Sequence, residues 1–408
     1  MKKNKKDDVS ELAKQAVLYP KESMVKEHVN QKKTTIGIPV ETINQETRVC
    51  FTPQGVGALT YNGYDVLVES GAGKHVKYND HDYSEAGARV VYSKKEVFSC
   101  NIIIKVAFPS IEEIDLMNPN QILISALDLP HLNVLKLNML MAKKITAICF
   151  ENIQDDFSIY PIIQSMSEIA GRAVIFLAAG CLTSTRGNGI LFGGITGVVP
   201  AEVVILGAGT VGQYAAKTAH ALGAEVKVFD NSLYKLRRLY SNHNLTVYNS
   251  IIQPAIILHA LKTADVVIGA LRPENGLIPF IVTEDMVMQM KDGAVIMDVS
   301  IDQGGCFETS HVTSLEKPTF IKYNVIHYCV PNIPSTVPQT ASNALNNILA
   351  PLLCEVIKFS SLDNFLWEKP LARNGIYLYK GILTNSSLGN KFGMNSKSMN
   401  LLLTSGIS

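Results

Sequence analysis

The stretch Val203-Val204-Ile205-Leu206-Gly207-Ala208-Gly209-Thr210-Val211-Gly212-Gln213-Tyr214-Ala215-Ala216-Lys217-Thr218-Ala219 passes from an apolar strand through a G-x-G-x-x-G turn into a helical pattern. Strand, turn and helix in that order give three spaced glycines the setting in which they hold a dinucleotide. Gly207 permits the tight turn, Gly209 lets the backbone approach a pyrophosphate, and Gly212 lets helix pack on strand with its N-terminus aimed at phosphate charge. The next apolar run, Glu225 to Phe229, ends at Asp230. A carboxylate there accepts hydrogen bonds from ribose hydroxyls and repels a 2′-phosphate, so the expected cofactor is NAD.

Outward from this motif the same alternation repeats. Strand-like runs at Thr246–Tyr248, Val266–Gly269, Ala294–Val299 and Ile326–Val330 follow the glycine loop, with helix-length stretches between them. An earlier set runs through Thr35–Pro39, Asp65–Glu69, Ile102–Val106, Gln121–Ser125 and Ile145–Phe150, separated by helices over Pro53–Tyr61, Asp80–Gly87 and Leu132–Met141. Strands alternating with helices make parallel sheets covered on both faces. A long helical stretch around Ser165–Leu182 joins the two sets, a second spans Ala341–Ser360, and the piece from Tyr377 to Leu383 is too short for its own domain. It is expected to fold back onto the first sheet. The fold class read here is α/β: two Rossmann-like, doubly wound domains with the active-site cleft between them. An extension at 1–33, carrying one short helix over Ser10–Leu18, precedes a substrate domain of 34–170 plus 336–408, and 171–335 is the cofactor domain.

The 408 residues allow two or three domains and a large core. Lys+Arg 37 against Asp+Glu 36 leaves a net charge of +1, so no global field gathers nucleic acid or acidic lipid. Seven well-separated cysteines form no C-x-x-C pair, which argues against a zinc or disulfide framework and for reduced thiols in a cytosolic protein. The lysine-rich start has no apolar run behind it, and no stretch reads as a membrane segment.

The chain resembles the alanine dehydrogenase and pyridine nucleotide transhydrogenase family, closer to alanine dehydrogenase, from Thr35 to about Leu383. The residues carrying the resemblance are Ile38-Pro39 with Glu41, Glu46-Thr47-Arg48-Val49, Thr52-Pro53 and Ser70-Gly71-Ala72-Gly73. They continue with Met166 to Arg172, the glycine loop, Ile301 to Glu308, and Val330-Pro331-Asn332. The transhydrogenase's flexible loop is not matched before Ser167. The resemblance implies reversible oxidative deamination of L-alanine by NAD to pyruvate and ammonia, and a homo-oligomer such as a hexamer. It also assigns Arg48 to the substrate carboxylate, where a guanidinium fork suits the geometry, and Asp302 to the active site. Ser167, Thr210, Val211, Asp230, Lys235, Ser250, Val330 and Asn332 become cofactor contacts, and a family arginine of that shell is replaced by His311.

Two departures stand out. The family's substrate lysine aligns with Ala107 and its catalytic histidine with Asp128, which removes one charge and inverts another. Lys105, two residues before Ala107 and on the same face if the strand continues, is a candidate donor. Asp128 is a candidate base if burial raises its pKa, and His131 a further surrogate. Three readings stay open: an amino-acid dehydrogenase using Arg48, Asp302 and Asp128 or Lys105; another substrate or a transhydrogenase-like exchange in an enlarged cleft; and a catalytically silent NAD(H)-binding protein.

Overall fold

A computed structural model describes residues 34–43, 45–127, 132–184, 187–243, 245–271, 281–359 and 362–404. The helix expected over Ser10–Leu18 lies outside these residues, as do Asp128 and His131.

The strands are β1 (Thr35–Ile38), β2 (Asp65–Glu69), β3 (Arg89–Val91), β4 (Ile102–Ile104), β5 (Ile122–Ser125), β6 (Thr146–Cys149), β7 (Glu202–Leu206) and β8 (Glu225–Phe229). They continue with β9 (Tyr248–Ser250), β10 (Val266–Gly269), β11 (Val295–Asp298), β12 (Thr319–Lys322), β13 (Val325–Tyr328), β14 (Ile376–Tyr379) and β15 (Ile382–Leu383). One sheet has the order β15-β14-β6-β5-β4-β1-β2-β3 and the other β12-β13-β11-β10-β7-β8-β9. The parallel part of each is wound outward in both directions from its first strand, so the order reverses between β1 and β4 in one sheet and between β7 and β10 in the other. Such a reversal leaves a crevice at the carboxyl ends of the strands, the usual place for a ligand in this architecture.

Both sheets are covered on both faces, which is why their central strands are mostly apolar. Ile102 and Ile104 of β4 enter one core cluster and Ile103 the opposite one. Val203 and Ile205 of β7 likewise part from Val204 and Leu206. The sheets are not wholly parallel. The Tyr377–Leu383 piece is the hairpin β14–β15, antiparallel to β6, and β12 adds an antiparallel edge to β13. β3 and β12 were not anticipated, since three residues and a half-exposed edge carry little periodic signal. The strand expected at Thr246–Tyr248 lies two residues later, at β9, and the one expected to reach Val330 ends at Tyr328.

The central helix, Pro161–Leu182, is long and apolar enough to cross a membrane by length and composition alone. Here it packs along the glycine-loop helix Thr210–Ala221 and against the return helix Pro338–Val356. Pro161 starts it at a position where a missing N–H costs nothing. Gly171 allows the closest approach: a Cβ there would lie 2.4 Å from the Val211 carbonyl oxygen and 2.9 Å from Tyr214 Cβ. Gly171→Ala is therefore expected to destabilise the fold by about 1–3 kcal/mol. Gly180→Ala in the same helix, where nothing lies within 4 Å, is expected to stabilise it by up to about 1 kcal/mol. Denaturant unfolding of the two variants checks the contrast.

Candidate active site

The loop after β1 carries Arg48, and the tertiary fold gives its guanidinium a fixed partner. Nε and Nη2 donate to the two oxygens of Glu46 at 2.8 and 2.6 Å, a side-on bidentate pair, while Nη1 lies 3.4 Å from Met166 Sδ on the central helix. The Arg48 side chain is 12% exposed and that of Glu46 6%. Burial opposes both charges, but each outweighs it for the other, so Glu46 is held below the ordinary carboxyl range and Arg48 above its own. Glu46 also accepts from Asn332 Nδ2 at 3.1 Å and Ser335 Oγ at 3.2 Å, and Thr47 Oγ1 donates to the Ser335 carbonyl at 2.6 Å. Asn332 and Ser335 follow β13 of the other sheet, so these hydrogen bonds join the loop after β1 of one sheet to the turn after β13 of the other.

Lys105 is a correction. β4 ends at Ile104, so the alternation that would set Lys105 beside Ala107 on one face stops first. Past Lys105, whose amide still bonds the Ile124 carbonyl of β5 at 3.0 Å, Glu41 in the loop after β1 takes the Val106 amide at 2.5 Å and the Ala107 amide at 3.3 Å. The Lys105 ammonium turns inward, 1% exposed, to both oxygens of Glu113 at 2.9 and 3.0 Å, with Glu41 at 3.5 Å. It is committed to buried carboxylates and offers no donor to a ligand. Glu113 is further served by Lys94 at 3.3 Å and by the Ser110 amide at 3.0 Å, and these partners offset its burial and keep its pKa low. Glu41 receives the more distant share of one lysine. Burial therefore prevails, with the Glu46 charge adding to it, and raises its carboxyl to about 7.

In the second sheet the glycines sort as their spacing implies. Gly207 has φ +111°, and a Cβ on it would lie 2.4 Å from the Ala270 carbonyl across the crevice. Gly212 sits so tightly on the turn that a Cβ would meet the Gly207 carbonyl at 1.8 Å. A Cβ on Gly209 would meet nothing within 4 Å. The helix Thr210–Ala221 begins there without a side-chain cap, and Thr210 and Val211 form its first turn. Asp230 is buried; its carboxylate braces the loop by accepting from the Ala208 amide at 2.7 Å and turns back to the Ser232 amide at 2.7 Å. Ser250, the last residue of β9, receives the Asp230 amide on its carbonyl at 3.2 Å. Lys235 lies one turn along, its amide on Ser232 Oγ at 3.3 Å.

Asp302 is exposed on the turn Ile301–Gln303 after β11. The turn is braced by Asp298, which the motif reading missed: buried, raised to about 6 by that burial, it accepts from the Cys306 amide at 3.0 Å. Ser167 follows Met166 on the central helix, Val330 is buried just after β13, and Asn332 has φ +59°. His311 stacks on Phe320 with ring centroids 3.7 Å apart. Among the described residues, then, the fold brings Arg48, Met166 and, through Glu46, Asn332 and Ser335 into one bonded set. Glu46 and Glu41 both stood inside quoted motifs without a role. A pair only two residues apart gives no hint of which partner is shared.

Residues 37–170 match the alanine dehydrogenase/PNT N-terminal domain family and residues 173–386 its C-terminal domain family. The chain belongs to this family. Alanine dehydrogenase 2 of Staphylococcus aureus (strain USA300) is 38% identical over 366 residues, covering 89% of this chain and 98% of the relative. The solved structure of an L-alanine dehydrogenase superposes with TM-score 0.83 at 36% identity over 88% of this chain and 99% of that one. A transhydrogenase from Sinorhizobium meliloti, 23% identical with TM-score 0.73 over 86% of this chain and 99% of that one, shares the fold. The resemblance read from the motifs is thereby borne out, and this member of the family is an oxidoreductase related to the alanine dehydrogenases.

Glu41 sets a pH dependence. Its folded pKa of about 7 lies above the ordinary 4.5, so the folded state keeps a proton that the unfolded chain has released. The stability it contributes is full below the unfolded value and is lost as pH rises through 7. Glu41→Gln cannot lose that proton, so its melting temperature relative to wild type is expected to rise between pH 5 and pH 8.5. A difference independent of pH counts against the assignment.

Proposed function

We propose that this chain catalyses the NAD-dependent, reversible oxidative deamination of L-alanine to pyruvate and ammonia. The observation that carries the reading is the buried, permanently charged Arg48, bonded through Glu46 to the Asn332–Ser335 turn beside the cofactor half. The alanine dehydrogenases to which the chain is similar at 36–38% identity support the reaction type. In this reading residues 34–170 plus 336–408 form the substrate half and 171–335 the cofactor half.

The second sheet's features fit NAD. The Cβ side of Gly209 is open, the helix behind it starts uncapped, and a carboxylate stands at the end of β8. Gly207, Gly209, Gly212, Thr210 and Val211 would hold the phosphates, Asp230 the ribose, and Ser167, Lys235, Ser250, Val330 and Asn332 the rest of the shell. When bound, NAD supplies the hydride chemistry. Arg48 fixes the substrate carboxylate through its remaining Nη1 edge. Asp302, exposed on its turn, steadies the charge that develops on the amine. Asp128 stands where the family has its histidine and takes the proton role there. Exposed Phe176, Leu191, Ile195 and Val199 support a homo-oligomer, and seven free cysteines support a reducing, cytoplasmic location.

A second reading, an NAD(H)-binding protein without turnover, is favoured by one observation: the ammonium of Lys105, two residues before Ala107, is locked onto Glu113. NADH consumption with pyruvate and ammonium separates the two. On the first reading the wild type turns over, and Arg48→Met lowers kcat/KM for pyruvate by about 10²-fold while NADH affinity changes by less than about 3-fold. Tight NADH binding with no consumption across a panel of 2-oxo acids, and activity restored by Ala107→Lys with Asp128→His, would establish the second.

A further inference from the structure

We propose that Glu46 is a positioning residue that couples the cofactor half to the substrate arginine. The inference deepens the reading above and rests on its placing an organic anion at Arg48. Arg48 could meet a carboxylate with two edges of its fork. In the structure the Nε–Nη2 edge is taken by Glu46, and the backbone amide of Arg48 donates to the same Glu46 oxygen at 3.0 Å. An incoming anion is left the Nη1 edge, which faces Met166. Where that edge points follows from where Glu46 stands.

The position of Glu46 is set by two groups besides Arg48. Asn332 Nδ2 reaches Oε2 at 3.1 Å and Ser335 Oγ reaches Oε1 at 3.2 Å, and Asn332 also donates to Ser335 Oγ at 2.7 Å. The turn is stiff: Asn332 holds a left-handed backbone, and Ile333, Pro334 and Ser335 are buried. One carboxylate thus accepts from both halves of the cleft, and nearly every lone pair it has is used. A ligand that moves the Asn332 amide must shift Glu46, and a shifted Glu46 reorients the guanidinium. Conversely, an anion that draws Arg48 off Glu46 leaves a buried carboxylate uncompensated on the cofactor side, which resists unless that side rearranges too. Glu46 touches neither reacting atom; it acts through Arg48 and Asn332.

The test uses the full chain. NADH affinity is measured by fluorescence for wild type, Glu46→Gln and Asn332→Ala, each with and without pyruvate. Melting temperatures are measured for Arg48→Met, Asn332→Ala and the double variant. Pyruvate is expected to tighten NADH binding to wild type by about 5-fold or more. In Glu46→Gln that factor falls to within about 2-fold of unity while NADH affinity alone shifts by less than about 3-fold, and Asn332→Ala, which leaves the ion pair intact, loses part of the factor. The double variant is expected to melt about 2 °C or more above the sum of the single losses, because both side chains act on one carboxylate. An unchanged coupling factor in Glu46→Gln, or additive melting losses, overturns the proposal. A wild type whose NADH affinity ignores pyruvate argues against the alanine dehydrogenase reading, and the role of Glu46 then stands or falls on the melting cycle alone.

Discussion

The fold depends on the constraint that a parallel sheet wound both ways from its first strand must open at the reversal. Between β1 and β4, and again between β7 and β10, the connections depart in opposite directions and leave a crevice at the carboxyl ends. This chain uses the two openings differently. At β7 the opening is lined by bare backbone, with three glycines in the turn. At β1 the opening is furnished with charge: Glu41, Glu46 and Arg48 all lie on the one connection that follows the strand.

Those charges sit in a largely water-free setting, and their arrangement follows from the cost of isolation. A buried ion is tolerated when geometry and hydrogen bonds repay its desolvation. Lys105 meets that condition by turning to Glu113, with Glu41 behind, and Arg48 meets it by lying flat against Glu46. Glu41 is the group left short, which is why its carboxyl lies near neutrality. Lys105, two residues before Ala107, thus already satisfies carboxylates of its own.

Much of this was readable along the chain. The helix at Pro53–Tyr61 and the strands at Asp65–Glu69, Glu225–Phe229 and Val266–Gly269 have the extents their apolar runs and breakers indicate. Long central strands announce themselves because both faces must be apolar. The edge strands β3 and β12, and the turn of Tyr377–Leu383 into an antiparallel hairpin, are set by what lies beside them and leave little local trace. The bend after β4 is of the same kind: a carboxylate 65 residues away in sequence claims the Val106 amide.

By itself, the order of residues determined the architecture, the glycine turn and the membership in a dehydrogenase family, because periodicity and short motifs are local properties of the chain. Only the tertiary structure decided which charges meet. It gave Lys105 to Glu113 and joined Arg48 through one carboxylate to Asn332, nearly three hundred positions away. Pairing of that sort depends on distance and burial, and neither is written at any single position.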